Sequence, residues 1–157
     1  MSPIITIVYF DMFIPYLIYV IFCVNVFWPD LTVIVDNVNK PHNIAAIFRS
    51  CDAVGIPDLH GFSSHEKIVG VNLKSASGSN NWVKLQVHDS ITSISLQLKS
   101  KSYSIYAANS SDNALDYRTV NYTKPTAIVL GAEFGGLSEV ILNEVGQIKI
   151  QTRSKLY

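Results

Sequence analysis

The sequence predicts an α/β domain built on a mostly parallel sheet flanked by helices. Three observations predict it. The 157 residues are the length of one domain. Short, continuously apolar runs recur along residues 29–150, as suits strands buried on both faces. Between these runs lie stretches of helical periodicity, and strand alternating with helix argues for parallel pairing.

Leu31–Asp36 (LTVIVD) is the first strand, an apolar run that ends in polar residues. Asn43–Gly55 reads as a helix, with Ile44, Ile47, Phe48, Cys51 and Val54 on one face and Gly55 as its stop. Asp58–Phe62 is a short second strand. Ser75–Asn81 is a polar loop of small residues, and Trp82–Val87 is a third strand. Ile91–Lys101 carries a weaker helical pattern through Ile91, Ile94 and Leu98. Tyr103–Ala107 is a strand, followed by polar Asn109–Asn113. Ala127–Leu130 is another, leading into the glycine turn Gly131–Gly136. Leu137–Val145 closes the pattern as a helix, and Gln147–Ile150 begins a last strand. No internal repeat is present.

The average composition hides a seam. Apolar residues make up 48% of the chain and charged ones 15%, which excludes a disordered protein. Twelve Lys and Arg balance twelve Asp and Glu, so a nucleic-acid site must be a local patch and not a global field. Residues 1–28, however, carry one formal charge, Asp11. Met12–Trp28 is nearly all apolar and as a helix would rise ~25 Å, slightly short of a bilayer core. This segment is expected to be a membrane span, to pack on the domain, or to be a non-native extension. Residues 29–157 are expected to form the domain proper. Cys23 and Cys51 fit neither a disulfide scaffold nor a zinc motif, and a reducing, cytoplasmic setting is expected.

Chemistry is expected at the carboxyl ends of the strands. Two such ends stand out. The first is DNVNKPHN (36–43), where Asn43 enters the first helical turn and either serves a site or caps backbone N–H groups. On a helical wheel Arg49 lies nearly opposite the apolar arc. It therefore faces solvent or a partner, as a solvated surface residue or a functional one. The second is LGAEFGGLSEV (130–140). Its spacing, G-x-x-x-G-G, is not the dinucleotide fingerprint. It is either a tight strand–helix turn or a glycine cradle that lets backbone N–H groups approach a ligand. Cys51 lies in the apolar stripe and reads as core. His42, His60, His65 and His88 are scattered, His42 reads as structural, and no metal is expected.

Four separated blocks carry a resemblance: DNVNKPHNIAAIFRSCDAVG (36–55), GSNNWVKLQVH (78–88), SDNALDYRTVNYTKP (111–125) and LGAEFGGLS (130–138). In this order they resemble the SpoU/TrmH class of RNA 2′-O-ribose methyltransferases. The resemblance implies an α/β domain whose carboxyl end threads a trefoil knot, S-adenosyl-L-methionine as cofactor, and a homodimer acting on RNA, most nearly a tRNA guanosine. It implies a catalytic set at Asn43, Arg49 and Glu133. It implies a cofactor pocket from Ala108, Leu130, Gly131, Gly135 and Ile150. Arg49 is implied to activate the ribose hydroxyl with help from a substrate phosphate. A guanidinium is a poor base, so binding the phosphate and orienting the hydroxyl is as reasonable a role.

Two departures from the family pattern shape the expectation. The third motif, Pro-Met and then Ser-Leu-Asn-Val-Ser, has no counterpart in QTRSKLY after Ile150. The family's basic amino-terminal helical segment is replaced by the apolar residues 1–28. The knot is therefore expected to be incomplete, and dimerisation weakened or lost. Of two readings for this chain, an active tRNA 2′-O-methyltransferase and an inactive RNA-binding or interaction remnant, the second is favoured for the chain as it stands.

Overall fold

The computed structural model describes residues 30–38, 40–64, 78–132 and 135–149. The elements are β1 (Leu31–Asp36), α1 (Pro41–Ala53), β2 (Asp58–Phe62), β3 (Lys84–Val87), α2 (Ile91–Ser100), β4 (Ser104–Ala108), β5 (Leu115–Asp116), β6 (Thr126–Gly131), α3 (Glu139–Glu144) and β7 (Gly146–Lys149). Single 3₁₀ turns occupy Ser79–Asn81 and Tyr117–Thr119. Every strand pair is parallel, in the order β3-β2-β1-β6-β4-β7-β5.

The apolar runs become strands because both sheet faces are covered at the centre. One face of β1 and β2 gives Val33, Val35 and Leu59 to a core with Ile44, Ala45, Phe48 and Cys51 of α1. The other face gives Ile34, Ile105, Ala107, Ala127 and Val129 to a core with Ile91, Ile94 and Leu98 of α2 and Ile141 of α3. Cys51 is buried, and burial pushes its thiol pKa up to about 11, so it is a core side chain and not a nucleophile.

Several boundaries differ from the sequence reading. Helix α1 begins at Pro41, two residues early, because proline at the first helical position lacks only an N–H that would have no intrahelical partner. Its N-cap is Lys40, which makes Asn43 the third helical residue and not a cap. Gly55 follows the helix at φ +73°. Helix α2 opens at Ser90, whose side chain accepts from the Ser93 N–H at 3.0 Å. Strand β5 and the turn after it were not expected.

Beyond β1 the α1 face of the sheet runs over β6, β4 and β7, and among the described residues the α1 core takes in only Leu130 there. There Leu31, Ile128 and Ile148 floor an apolar hollow of about 570 Å³, walled by Tyr117 and Tyr122. The Tyr122 hydroxyl donates to the Tyr117 carbonyl at 2.8 Å, and its ring meets Tyr106 edge-on at 6.2 Å. Residues 1–28, the expected span or extension, lie outside the described residues, as do residues 150–157, where the knot was expected to be incomplete. Among the described residues no helix is long and apolar enough to cross a membrane.

Candidate functional site at the carboxyl ends of the sheet

The strand order places a topological switch at β1. From β1 the chain adds β2 and β3 on one side, then crosses to β4, and β6 later fills the gap between β1 and β4. A crevice outside the strand ends is expected at such a point. The strand ends that meet there are Asp36 of β1, Gly131 of β6 and Ala108 of β4, with Lys149 of β7 beyond. The register pairs Asp36 with Gly131, Val35 with Leu130 and Ala108 with Ile148. Leu130, Gly131 and Ala108, separated in sequence, thus stand on adjacent strand ends.

The glycine turn has two kinds of glycine. A Cβ on Gly131 would lie 2.4 Å from the carbonyl carbon and oxygen of Gly136 and 2.6 Å from the Leu137 nitrogen. Only hydrogen fits there. The turn is closed by an antiparallel bridge in which Ala132 and Gly136 exchange both N–H···O bonds at 2.8 Å. Gly136 takes φ +66°, a conformation costly for other residues. Gly135 is different: a Cβ there would meet nothing within 4 Å, and the residue is exposed. Its lack of a side chain answers no packing need among the described residues and leaves its backbone exposed.

Two polar networks brace the crevice. Asp36, fully buried, accepts from the Ser138 N–H at 2.7 Å and from Asn37 Nδ2 at 2.9 Å. Asn37 sits at φ 56°, which asparagine tolerates, and its Oδ1 accepts from the Ser64 N–H and hydroxyl at 2.8 and 2.9 Å. Beside Ala108, Gln147 Oε1 accepts from Asn109 Nδ2 at 3.0 Å and from the Ser111 hydroxyl at 2.9 Å. The Asn109 N–H donates to the Ile148 carbonyl at 2.8 Å, which pins the loop after β4 onto β7. Neither network was anticipated. The one available signal was a carboxylate ending an otherwise apolar strand, Asp36 after Val35.

Asn43 is half-buried in the first turn of α1, at the same end of the sheet. Arg49 is exposed on α1, as the wheel required. Six residues separate the two, so they lie ~9 Å apart along the axis and about 120° apart around it. The helix alone does not bring them together. Glu133 and Ile150 lie outside the described residues. His42 is exposed at the start of α1 and takes no part in the core. Among the described residues no three His, Cys, Asp or Glu side chains are grouped as metal ligands.

Residues 30–156 match the SpoU rRNA Methylase family. The chain belongs to that family. Among curated SpoU-family relatives, the tRNA (guanosine(18)-2′-O)-methyltransferase of Thermus thermophilus is 43% identical over 123 residues, 78% of this chain and 63% of that protein. Its Escherichia coli counterpart is 40% identical over 114 residues, 73% of this chain and 49% of that one. The crystal structure of the Aquifex aeolicus TrmH/SpoU tRNA modifying enzyme superposes with a TM-score of 0.74 at 35% identity, covering 80% of this chain and 64% of that one. The SpoU methyltransferase AviRb from Streptomyces viridochromogenes, solved in complex with AdoMet, shares the fold at TM-score 0.70 and 20% identity. The chain therefore spans less than two thirds of the length of these relatives.

Proposed function

We propose that this chain binds S-adenosylmethionine at the glycine turn and serves 2′-O-methylation of a ribose in tRNA, at a guanosine. The observation that carries the reading is the turn itself, at the strand ends of a SpoU-family sheet. Gly131 and Gly136 are glycines for the turn's own geometry, while at Gly135 no packing among the described residues calls for one. That open backbone suits a ligand held by main-chain N–H and C=O groups, so the residues present fit the cofactor. The cofactor, when bound, supplies an electrophilic methyl group.

The chain's own residues supply position and charge. The strand ends at Leu130 and Ala108 form the floor of the cofactor pocket, and Ile150 belongs to the same wall in the family pattern. Asn43 presents an amide from the first turn of α1. Arg49 offers a planar cation suited to a bidentate phosphate contact, which holds the neighbouring ribose so that its hydroxyl oxygen faces the methyl. Glu133 fixes the turn or orients the substrate. The tRNA substrate follows the names of the relatives.

Titration calorimetry with S-adenosylmethionine and transfer of tritiated methyl groups to unmodified tRNA test the proposal. Cofactor binding with methyl transfer supports it. Binding without transfer identifies the inactive remnant instead. No heat up to millimolar cofactor removes the cofactor claim. In a chain that transfers methyl groups, Arg49→Ala is expected to reduce transfer by orders of magnitude and to change stability by less than ~0.5 kcal/mol, as exposed substitutions do.

A further inference from the structure

We infer that Asp36 is a positioning residue: its buried carboxylate latches the start of α3 to the end of β1 and so fixes where the glycine turn closes, at Gly136–Ser138. The inference rests on the cofactor reading above and deepens it. Asp36 closes a strand whose other buried residues are apolar or, like Thr32, bonded to a strand carbonyl. A carboxylate with no exposed surface is costly unless its oxygens are satisfied. Both oxygens here are aimed at segments that border the crevice. Oδ2 takes the Ser138 N–H, the residue that follows the turn, across 102 positions of sequence. Oδ1 takes Asn37 Nδ2, and Asn37 reaches on to Ser64. One carboxylate therefore links the turn after β6, the loop leading to Asn43, and the segment after β2.

The Ser138 side chain does not do this work. Its Oγ is buried without a partner among the described residues, and it does not cap α3. The N–H is the group that is held. The turn is tightly folded: Gly131 has no room for a Cβ against Gly136, and Gly136 is left-handed. The bridge between Ala132 and Gly136 closes it internally. The Asp36–Ser138 bond is a side-chain link that ties its closing end to the neighbouring strand.

The test compares the wild-type chain with Asp36→Asn, Asp36→Glu and Asn37→Asp. Amide exchange at Ser138 is followed by NMR, and S-adenosylmethionine affinity by calorimetry well below the melting transition. Asp36→Asn keeps the volume but loses an acceptor. It is expected to speed Ser138 exchange at least tenfold and to weaken cofactor binding at least tenfold. Asp36→Glu, further from the native volume but still a carboxylate, is expected to recover most of both. Recovery by the worse-fitting side chain is what a packing role would not produce. If Asp36→Asn does not fold, Asn37→Asp removes one donor to the carboxylate and is expected to give the same changes at about threefold. Wild-type exchange and affinity in Asp36→Asn, or Glu performing no better than Asn, overturns the latch. A wild-type chain that takes up no cofactor overturns the functional reading instead, and unchanged Ser138 exchange in the variants then overturns the latch independently.

Discussion

Gly131 and Gly135 lie four residues apart and demand different explanations. At Gly131 the backbone of Gly136 fills the space a Cβ would need. Gly131→Ala is therefore expected to destabilise the domain by about 1–3 kcal/mol, the usual cost of forcing extra volume into packed structure. Gly135 has open space, so Gly135→Ala is expected to change stability by no more than ~0.5 kcal/mol while weakening cofactor uptake. Thermal melts and calorimetry on the two variants check this pair. Equal effects on folding would mean that the turn does not separate internal from ligand-facing glycines. Such residues were legible because glycine at a strand end has few physical reasons to be there. Asp36 was not: its partner Ser138 is distant in sequence, and no periodicity records a contact made through a backbone N–H.

Among the elements, edge strand β3 is tied to β2 by more than its ladder. Nδ1 of buried His60 in β2 stands 3.0 Å from Nε2 of His88 just after β3, so one ring donates and the other accepts. Burial lowers the pKa of both, and the charge of His88 lowers that of His60 further, against an opposing pull from Asp58. A histidine whose folded pKa is depressed binds fewer protons folded than unfolded. Its contribution is present above the unfolded value of 6.5 and is lost as pH falls from there through the folded value. The melting temperature is expected to drop on acidification below about pH 6.5. In His88→Gln this dependence should flatten, as melts across pH 5–8 would show. A slope unchanged by the substitution would assign it to other groups. The strands and α1 were readable from apolar runs and the 3.6-residue stripe, since burial on a sheet face leaves that mark. Strand β5 was not readable, because two residues, half-exposed Asp116 and exposed Leu115, carry no period at all. The start of α1 was misplaced because Asn43 looked like a cap while Pro41 had already begun the helix.

For the whole molecule, the sheet order decides more than where a crevice forms. Strands β1 and β4 do not touch; each pairs with β6, and the two halves of the sheet meet only through it. Helix α2 also rests on Ile34 of β1 and on Val129 of β6, so its core spans that join. During synthesis on a ribosome, β1 and β2 emerge well before Thr126–Gly131 and β4 before it too, and over that interval the nascent sheet has an open seam along its middle. Parallel pairing across so long a stretch of chain is slow, and unpaired central edges are exposed while it waits. A chain released after Val120 is therefore expected to show no cooperative unfolding by circular dichroism and to bind chaperone, whereas one ending at Lys149 should melt in a single transition. A sharp melt from the shorter chain would mean that the first half folds alone. The strand that joins the two halves of the sheet is thus made late, and nascent chains of this fold lack the central strand end at Gly131 until β6 has left the exit tunnel.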